Sequence, residues 1–180
     1  MAEKDNLILT AVGPDRIGLV EKISEFVLKH GCSIDDSKMA VFCGEFALIL
    51  LISGEGHGLS NIAGGYSELG SQTGLNIWIK APSKKKPVEA ILPYELTAFC
   101  MDHPGVVYKV SNVLSNLGIN IESMETKTYA APVSATPLFR LDALISVPVR
   151  VNINDLRARL GELEKEENID IKLSLITKHW

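Results

Sequence analysis

Cysteine and long apolar runs are both scarce in this chain of 180 residues. The three cysteines, Cys32, Cys43 and Cys100, form no CxxC pair and could make at most one bridge, which excludes a disulfide framework. The longest strongly apolar stretch, Phe46 to Ile52, is too short to span a bilayer, and the start MAEKDN has no apolar signal segment. We therefore expect a soluble cytoplasmic protein that makes no membrane contact.

Positive charge is also in short supply, with 18 basic residues against 22 acidic ones and a net charge of −4. Such a balance gives no electrostatic footprint for a phosphate backbone, so direct nucleic-acid binding is disfavoured. The one dense basic run, Lys84-Lys85-Lys86, lies in the Pro-flanked stretch Pro82 to Pro87. We interpret it as a solvated linker, with a phosphate or partner patch as the alternative.

Motifs for catalysis, metals and nucleotides are missing as well. The four histidines share no ligand spacing, and the Gly13 to Gly18 spacing lacks the Lys-Ser/Thr pair of a phosphate loop. No serine or cysteine stands in a nucleophile motif with a base. We predict a protein that is not an enzyme and has no cofactor and no metal.

The chain does contain an internal repeat, because the segment Leu9 to Ile34 recurs as Leu96 to Ile121. The offset between the copies is constant, as the pairs Gly18/Gly105 and Gly31/Gly118 show. Ten of the 26 aligned pairs are identical, where chance gives about one or two. Two small copies of one unit make a single large catalytic cleft improbable.

Each copy carries the pattern of one βαββαβ unit. Apolar runs, helical spacing and turn residues indicate the following elements. In the first copy they are strand Leu7 to Val12, a helix opened by Gly18, strands Ser33 to Phe42 and Glu45 to Ile52, helix Gly58 to Gln72 and strand Leu75 to Lys80. In the second they are strand Tyr94 to Cys100, helix Gly105 to Leu117, strands Ile119 to Tyr129 and Phe139 to Val147, helix Asp155 to Glu167, with Asn152 or Asn154 as its cap, and strand Ile169 to Ile176.

The predicted fold class is α+β, with two ferredoxin-like domains over residues 1–81 and 91–180 and a linker over 82–90. Right-handed crossovers place both helices of a unit on one face of an antiparallel sheet, so the other face must be covered or polar. The RNA-recognition fold shares this order, but Ile119 to Tyr129 lacks its aromatic and basic pattern. Because small domains have thin cores, we expect a homo-oligomer, most simply a dimer.

The best candidate site is the turn between the first strand and first helix of each copy. In the second copy Asp102, His103, Pro104 and Gly105 form it, and Asp102 can accept from a ligand ammonium group. Gly105 lets the backbone approach closely, and the free N–H groups of the next helix suit a carboxylate. Asn120 opens the next strand and offers an amide near the same edge.

The first copy has Asp15, Gly18 and Ser33 at the corresponding positions, and Ser33 makes its site the weaker one. The plain structural alternative is that these residues only cap a helix and permit a turn. The loop Ala130 to Pro137 is longer than its counterpart at Cys43-Gly44, which is consistent with either a functional or a merely variable loop.

The order of elements, DRIGLV and DHPGVV before the first helices, and GCSI and GINI before the next strands resemble tandem ACT domains. More narrowly, GCSIDDSKMAVFCGEFALILLISG and the segment from Asp102 to Phe139 are similar to the glycine cleavage system transcriptional repressor family.

The resemblance implies a non-catalytic regulator that binds an amino acid, with glycine the first candidate, and acts through a DNA-binding protein partner. It also implies a ligand at a domain interface, held by the loop at Asp102 and by Asn120, with Pro104 and Gly105 shaping the loop. Two alternatives stay open. One is an amino-acid-binding allosteric subunit of a metabolic enzyme, and the other is a structural dimer without a ligand.

Overall fold

The computed structural model describes residues 5–83 and 89–177, and the chain divides into two compact units between residues 84 and 85. That division falls in the predicted linker 82–90. Residues 84–88 of this linker, with the run Lys84-Lys85-Lys86, are outside the described residues, as is His179. The domain bounds 1–81 and 91–180 therefore stay predictions.

The first unit has the predicted βαββαβ order. Its elements are β1 (Asp5–Pro14), α1 (Leu19–Lys29), β2 (Ser33–Phe42), β3 (Glu45–Gly54), α2 (Gly56–Thr73) and β4 (Asn76–Lys80). The strands form one sheet in the order β2-β3-β1-β4, and all neighbours are antiparallel.

The second unit repeats the order and the sheet. Its elements are β5 (Ile91–Met101), α3 (Val106–Asn116), β6 (Asn120–Ala130), β7 (Pro137–Pro148), α4 (Ile153–Glu167) and β8 (Asp170–Leu175). The sheet order is β6-β7-β5-β8, again with antiparallel neighbours. The duplicated α+β architecture predicted from the sequence is confirmed, and the ends of elements shift by a few residues.

Each unit has a core of its own, between one face of its sheet and its two helices. On β1 every second side chain is buried, at Leu7, Leu9 and Ala11, and these pack with apolar residues of α1 and α2. The second core is built in the same way from Leu96 and Ala98 of β5 together with residues of α3 and α4. Apolar side chains at strand spacing facing others at helical spacing place both helices on the same face.

The turn into the first helix of each unit depends on glycine. Gly18 and Gly105 are the N-cap residues of α1 and α3, with φ of 89° and 100°. An L side chain is strained at such values of φ, whereas glycine adopts them freely.

The two β-hairpins differ in their tips. Cys43 and Gly44, both with positive φ, connect β2 to β3 in a two-residue turn of the kind that suits the twist of the strands. The second hairpin has a six-residue connection, residues 131–136, closed by a 2.8 Å hydrogen bond from the Ala131 N–H to the Thr136 carbonyl.

The last helix carries the predicted cap. Asn152 accepts a 2.9 Å hydrogen bond from the Asn154 N–H, and Asp155 lies in the first turn of α4. Within residues 5–83 and 89–177, no helix is long and apolar enough to cross a bilayer.

Candidate functional site

The two strand-to-helix loops are each attached to the tip of their own hairpin. The Asp102 N–H donates to the Pro137 carbonyl at 2.9 Å, and the Asp15 N–H donates to the Gly44 carbonyl at 2.8 Å. Asp102, Pro104 and Gly105 are exposed, and in the first loop Asp15 is exposed and Gly18 is half-buried. These hydrogen bonds fix the loop backbone while leaving the side chains open to solvent.

The helix starts next to these loops differ in charge. No side chain caps α1 or α3, but α1 has Glu21 in its first turn and α3 has no acidic residue there. The carboxylate Oε2 of Glu21 lies 3.7 Å from the position of a Cβ on Gly18, whereas the corresponding residue of the second copy is Tyr108. A carboxylate at a helix N-terminus is favourable, so α1 supplies its own anion and α3 does not.

His103 has a buried ring nitrogen without a protein partner. Its Nδ1 lies 3.2 Å from the Pro104 carbonyl oxygen, while its Nε2 is buried and has no hydrogen-bond partner among the described residues. A buried polar atom left unpaired costs about 1–3 kcal/mol. The His103 Nε2 is thus a hydrogen-bonding group that the described residues leave unused.

A cleft lies beside this imidazole. Its volume is about 510 Å³, and it is lined by His103, Gly105, Val106, Val107, Tyr108 and Phe139. It brings together the imidazole, the backbone at the start of α3 and apolar walls. Asp102 and Pro104 adjoin it in the chain but do not line it.

The first loop uses the corresponding position in another way. Arg16 stands where the second copy has His103, and its guanidinium donates a hydrogen bond to the Thr73 carbonyl at the end of α2. The Arg16 guanidinium is therefore already occupied within its own unit.

The Asp102 carboxylate makes no hydrogen bond or ion pair with the described residues, and its charge acts on a neighbouring thiol. Burial raises the pKa of Cys100, and the negative charge of Asp102 raises it further. The carboxylate can therefore accept from a cationic ligand group without first breaking an ion pair.

The structure corrects the expectation that Asn120 lies near the same edge as the Asp102 loop. Asn120 pairs with Ser146 at one end of β7, whereas the Asp102 loop is bonded to Pro137 at the other end. Nine residues of strand between these points correspond to about 30 Å. Within one unit, Asn120 and Asp102 therefore do not contact the same small ligand. The side-chain amide of Asn120 donates instead to Glu122 Oε1 at 2.8 Å.

Ser33 is separated from its own loop in the same way, because it pairs with Ser53 while Asp15 is bonded to Gly44. Sequence reasoning missed Tyr108 and Phe139 in the cleft, and it missed the role of Glu21. The Glu21/Tyr108 difference was visible in the alignment of the two copies. Phe139 lies outside the aligned segment and gave no signal.

Within the described ranges, no group of three or more His, Cys, Asp or Glu side chains could hold a metal ion. The cleft joins an imidazole and an uncapped helix start, and Asp102 precedes the imidazole in the chain without lining the cleft. This set suits a small molecule that has both an anionic and a cationic group.

Comparison with known families identifies the first unit, which carries the Asp15 loop. The model of the ACT domain family matches residues 5–80, and the second unit repeats the same order and sheet topology. The first unit is an ACT domain, and the second unit has the same fold. The predicted resemblance to the glycine cleavage system transcriptional repressor family is confirmed by the relatives below.

The glycine cleavage system transcriptional repressor of Escherichia coli (strain K12) is 26% identical to this chain over 133 residues, which are 73% of this chain and 69% of the relative. A crystal structure of an unknown protein from Galdieria sulphuraria matches with a TM-score of 0.82 and 27% identity, covering 97% of this chain and 100% of that one.

A second solved structure, provisionally assigned as a glycine cleavage system transcriptional repressor, has a TM-score of 0.71 and 25% identity and covers 98% of this chain and 100% of its own. These matches extend over both units. The chain is thus similar, over most of its length, to proteins named as transcriptional repressors.

Proposed function

We propose that this protein is a non-catalytic sensor of an amino acid, with glycine as first candidate, and that it regulates transcription in glycine metabolism through a protein partner. The observation that carries the proposal is the difference between the two loops. In the first, Arg16 is bonded to Thr73 and Glu21 lies at the helix start. In the second, the His103 Nε2 is unpaired and α3 has no acid in its first turn.

An amino acid matches the chemistry that the second loop leaves unused. Its carboxylate would receive N–H groups at the start of α3, where the helix dipole favours negative charge. The His103 imidazole would bond the same carboxylate, and the Asp102 carboxylate would accept from the ammonium group. The cleft has room for a small ligand, which is consistent with glycine.

Asn120 enters this proposal only through a second copy of the chain. Since about 30 Å separates it from the Asp102 loop in its own unit, it would reach a ligand held by the Asp102 loop of the other copy. A ligand held by two copies would stabilise one packing of these copies over another, and a partner protein that prefers this packing would sense the ligand.

The partner is proposed on grounds of charge and homology. The net charge of −4 does not favour binding to the phosphates of DNA, while the relative in Escherichia coli is named as a transcriptional repressor. A DNA-binding regulator that binds this acidic protein would explain how it affects transcription without contacting DNA itself.

The second loop should bind more strongly than the first. Calorimetry of the full chain with glycine and a panel of other amino acids is expected to give heat of binding. Asp102→Ala should weaken the affinity about tenfold or more, since a charge-assisted hydrogen bond is lost, and Asp15→Ala should change it less than about twofold. Equal losses would refute the ranking of the loops, and no heat or competition at millimolar concentration would remove the sensor function.

The partner is tested by affinity purification of the native protein with mass spectrometry of bound proteins and extracted small molecules. A DNA-binding regulator retained in the presence of the amino acid supports the proposal. Retention of a metabolic enzyme instead would favour the allosteric-subunit alternative and contradict the transcriptional one.

A further inference from the structure

The sheet face opposite the helices in the first unit is apolar in its centre. We call it the open face of the first unit. Ile8 and Leu51 are half-buried there, while Ile49 and Trp78 keep 44% and 58% of their surface exposed. Part of this face forms a shallow groove of about 210 Å³. Exposed apolar side chains gathered on one sheet face indicate a binding surface.

The second unit shows that the fold does not require these residues to be apolar. Strand register places Glu95 at the position of Ile8, Asp142 at that of Ile49 and Lys172 at that of Trp78. The same face of the same fold is thus charged in the second unit. The apolar character of the first face needs an explanation other than folding.

Charged residues flank the apolar centre in an ordered way. One row across the sheet, read from β2 to β4, is Asp36, Leu51, Ile8 and Lys80, and the next row is Lys38, Ile49, Thr10 and Trp78. A carboxylate thus stands at one end of the first row and an ammonium at the other. Side chains directly opposite one another in a sheet share a face, so each row lies on the open face.

This order is self-complementary under a two-fold rotation. Consider a two-fold axis that runs parallel to the strands, between the two stacked sheets and above the gap between β3 and β1. It places each row opposite the same row of the other copy, read in the reverse direction. Asp36 then faces Lys80 of the other copy, and Leu51 faces Ile8. In the second row Lys38 faces Trp78, where an ammonium over the indole ring is attractive. A closed dimer with a two-fold axis needs this kind of surface.

We propose that the open face of the first unit is a dimer interface whose occupant is the open face of the first unit in a second copy of this chain. Two sheets stacked face to face about 10 Å apart would bury the apolar centre, with the ionic pairs at its rim. A charged sheet face, such as that of the second unit, would be a less favourable occupant of the apolar centre. Its charged side chains would lose hydration there without gaining partners of opposite charge. None of these residues belongs to the Asp102 loop, so the interface stands independently of the ligand.

The first test is sedimentation equilibrium of the full chain. The native protein should dimerise, and Ile49→Glu should raise the dimer dissociation constant about tenfold or more, because it places a charge in the apolar centre of the interface, where the charge would lose hydration. Leu28→Glu is the matched control, since Leu28 lies on α1 and is 73% exposed. It should change the constant less than about twofold. A monomeric native protein, or dissociation by Leu28→Glu and not by Ile49→Glu, would overturn the proposal.

A charge exchange separates an interface from a merely structural role. Asp36→Lys alone should weaken the dimer about fivefold or more, since like charges then meet at both rims, while Asp36→Lys with Lys80→Asp should restore it to within about threefold of native. The two residues stand on opposite edge strands, about 14 Å apart in one chain and beyond the screening length of about 8 Å. Rescue by the double variant therefore requires contact between the two copies. A double variant that dimerises no better than Asp36→Lys alone would contradict the two-fold arrangement.

Discussion

On the charged sheet face of the second unit, three side chains form a closed polar group. Arg140 donates to Asp142 through Nε at 2.7 Å and through a terminal nitrogen at 2.8 Å, and the Thr97 hydroxyl donates to the same carboxylate at 3.2 Å. The Arg140 hydrogen bonds lower the pKa of Asp142, and that carboxylate raises the pKa of Arg140. On this exposed sheet face, the charged side chains are thus hydrogen-bonded to one another.

The group should make stability depend on pH in one direction. Because the pKa of Asp142 is lower in the folded chain than the unfolded value of about 3.9, its contribution is complete above that value and is lost as the pH falls through the folded pKa. In urea unfolding from pH 2 to pH 7, Asp142→Asn should lower the free energy of unfolding at pH 7. Its difference from the native protein should shrink in acid.

The size of this effect is limited, because the side chains of Arg140 and Asp142 are 53% and 37% exposed and water screens the pair. Glu166→Gln is the control, since the same acid-to-amide change occurs at an exposed residue without a hydrogen bond or ion pair to the described residues. A difference for Asp142→Asn that stays constant across the pH range would contradict the linkage.

At the level of elements, α2 shows how packing overrides weak helix propensity. It contains five glycines, yet it extends from Gly56 to Thr73 because Leu59, Ile62 and Leu69 fill the core of the first unit. The glycines have different surroundings. A Cβ on Gly58 would lie 2.5 Å from the His30 carbonyl oxygen, whereas a Cβ on Gly64 would meet nothing within 4 Å.

The same substitution should therefore have opposite effects at two places in α2. Gly64→Ala should stabilise the protein by about 0.5–1 kcal/mol, since alanine loses less backbone entropy in a helix. Gly58→Ala should destabilise it, because α2 would have to move away from the end of α1. Thermal and urea unfolding of both variants measure this pair. Stabilisation by both would show that the close approach at Gly58 is unimportant.

The order of elements could be predicted from the sequence because the repeat gave two independent views of each one. Ser33 to Phe42 and Ile119 to Tyr129 are both predicted as strands. The structure has the first with the same bounds and the second one residue later at each end. The position of Asn120 could not be obtained by aligning the copies. An alignment gives equivalence between residues, whereas distance depends on the direction of the chain.

The direction of β6 was in fact implied by the order of elements. In a βαββαβ unit the first helix returns the chain to the end of the sheet where the first strand began, so Asn120 starts β6 far from the loop that follows β5. The unpaired His103 nitrogen is different. It depends on the rotamer of one ring and on the packing around it, which no sequence pattern encodes.

At the level of the whole molecule, the duplication has produced two cores that share no residue. The described buried residues form one cluster within 7–77 and another within 94–169. Leu9 and Leu96, a pair of identical residues in the repeat, are each fully buried in the cluster of their own unit. They allow the same change to be made in each unit.

Truncation of either leucine should loosen its own unit and leave the other protected. Leu9→Ala and Leu96→Ala should each cost about 2–5 kcal/mol through lost burial and a cavity. In hydrogen exchange measured by mass spectrometry, the slowest amides of the altered unit should therefore exchange about 30-fold faster or more. Those of the other unit should change little, and Leu28→Ala on the surface of α1 should affect neither. Equal acceleration in both units would show that they unfold as one cooperative body despite their separate cores.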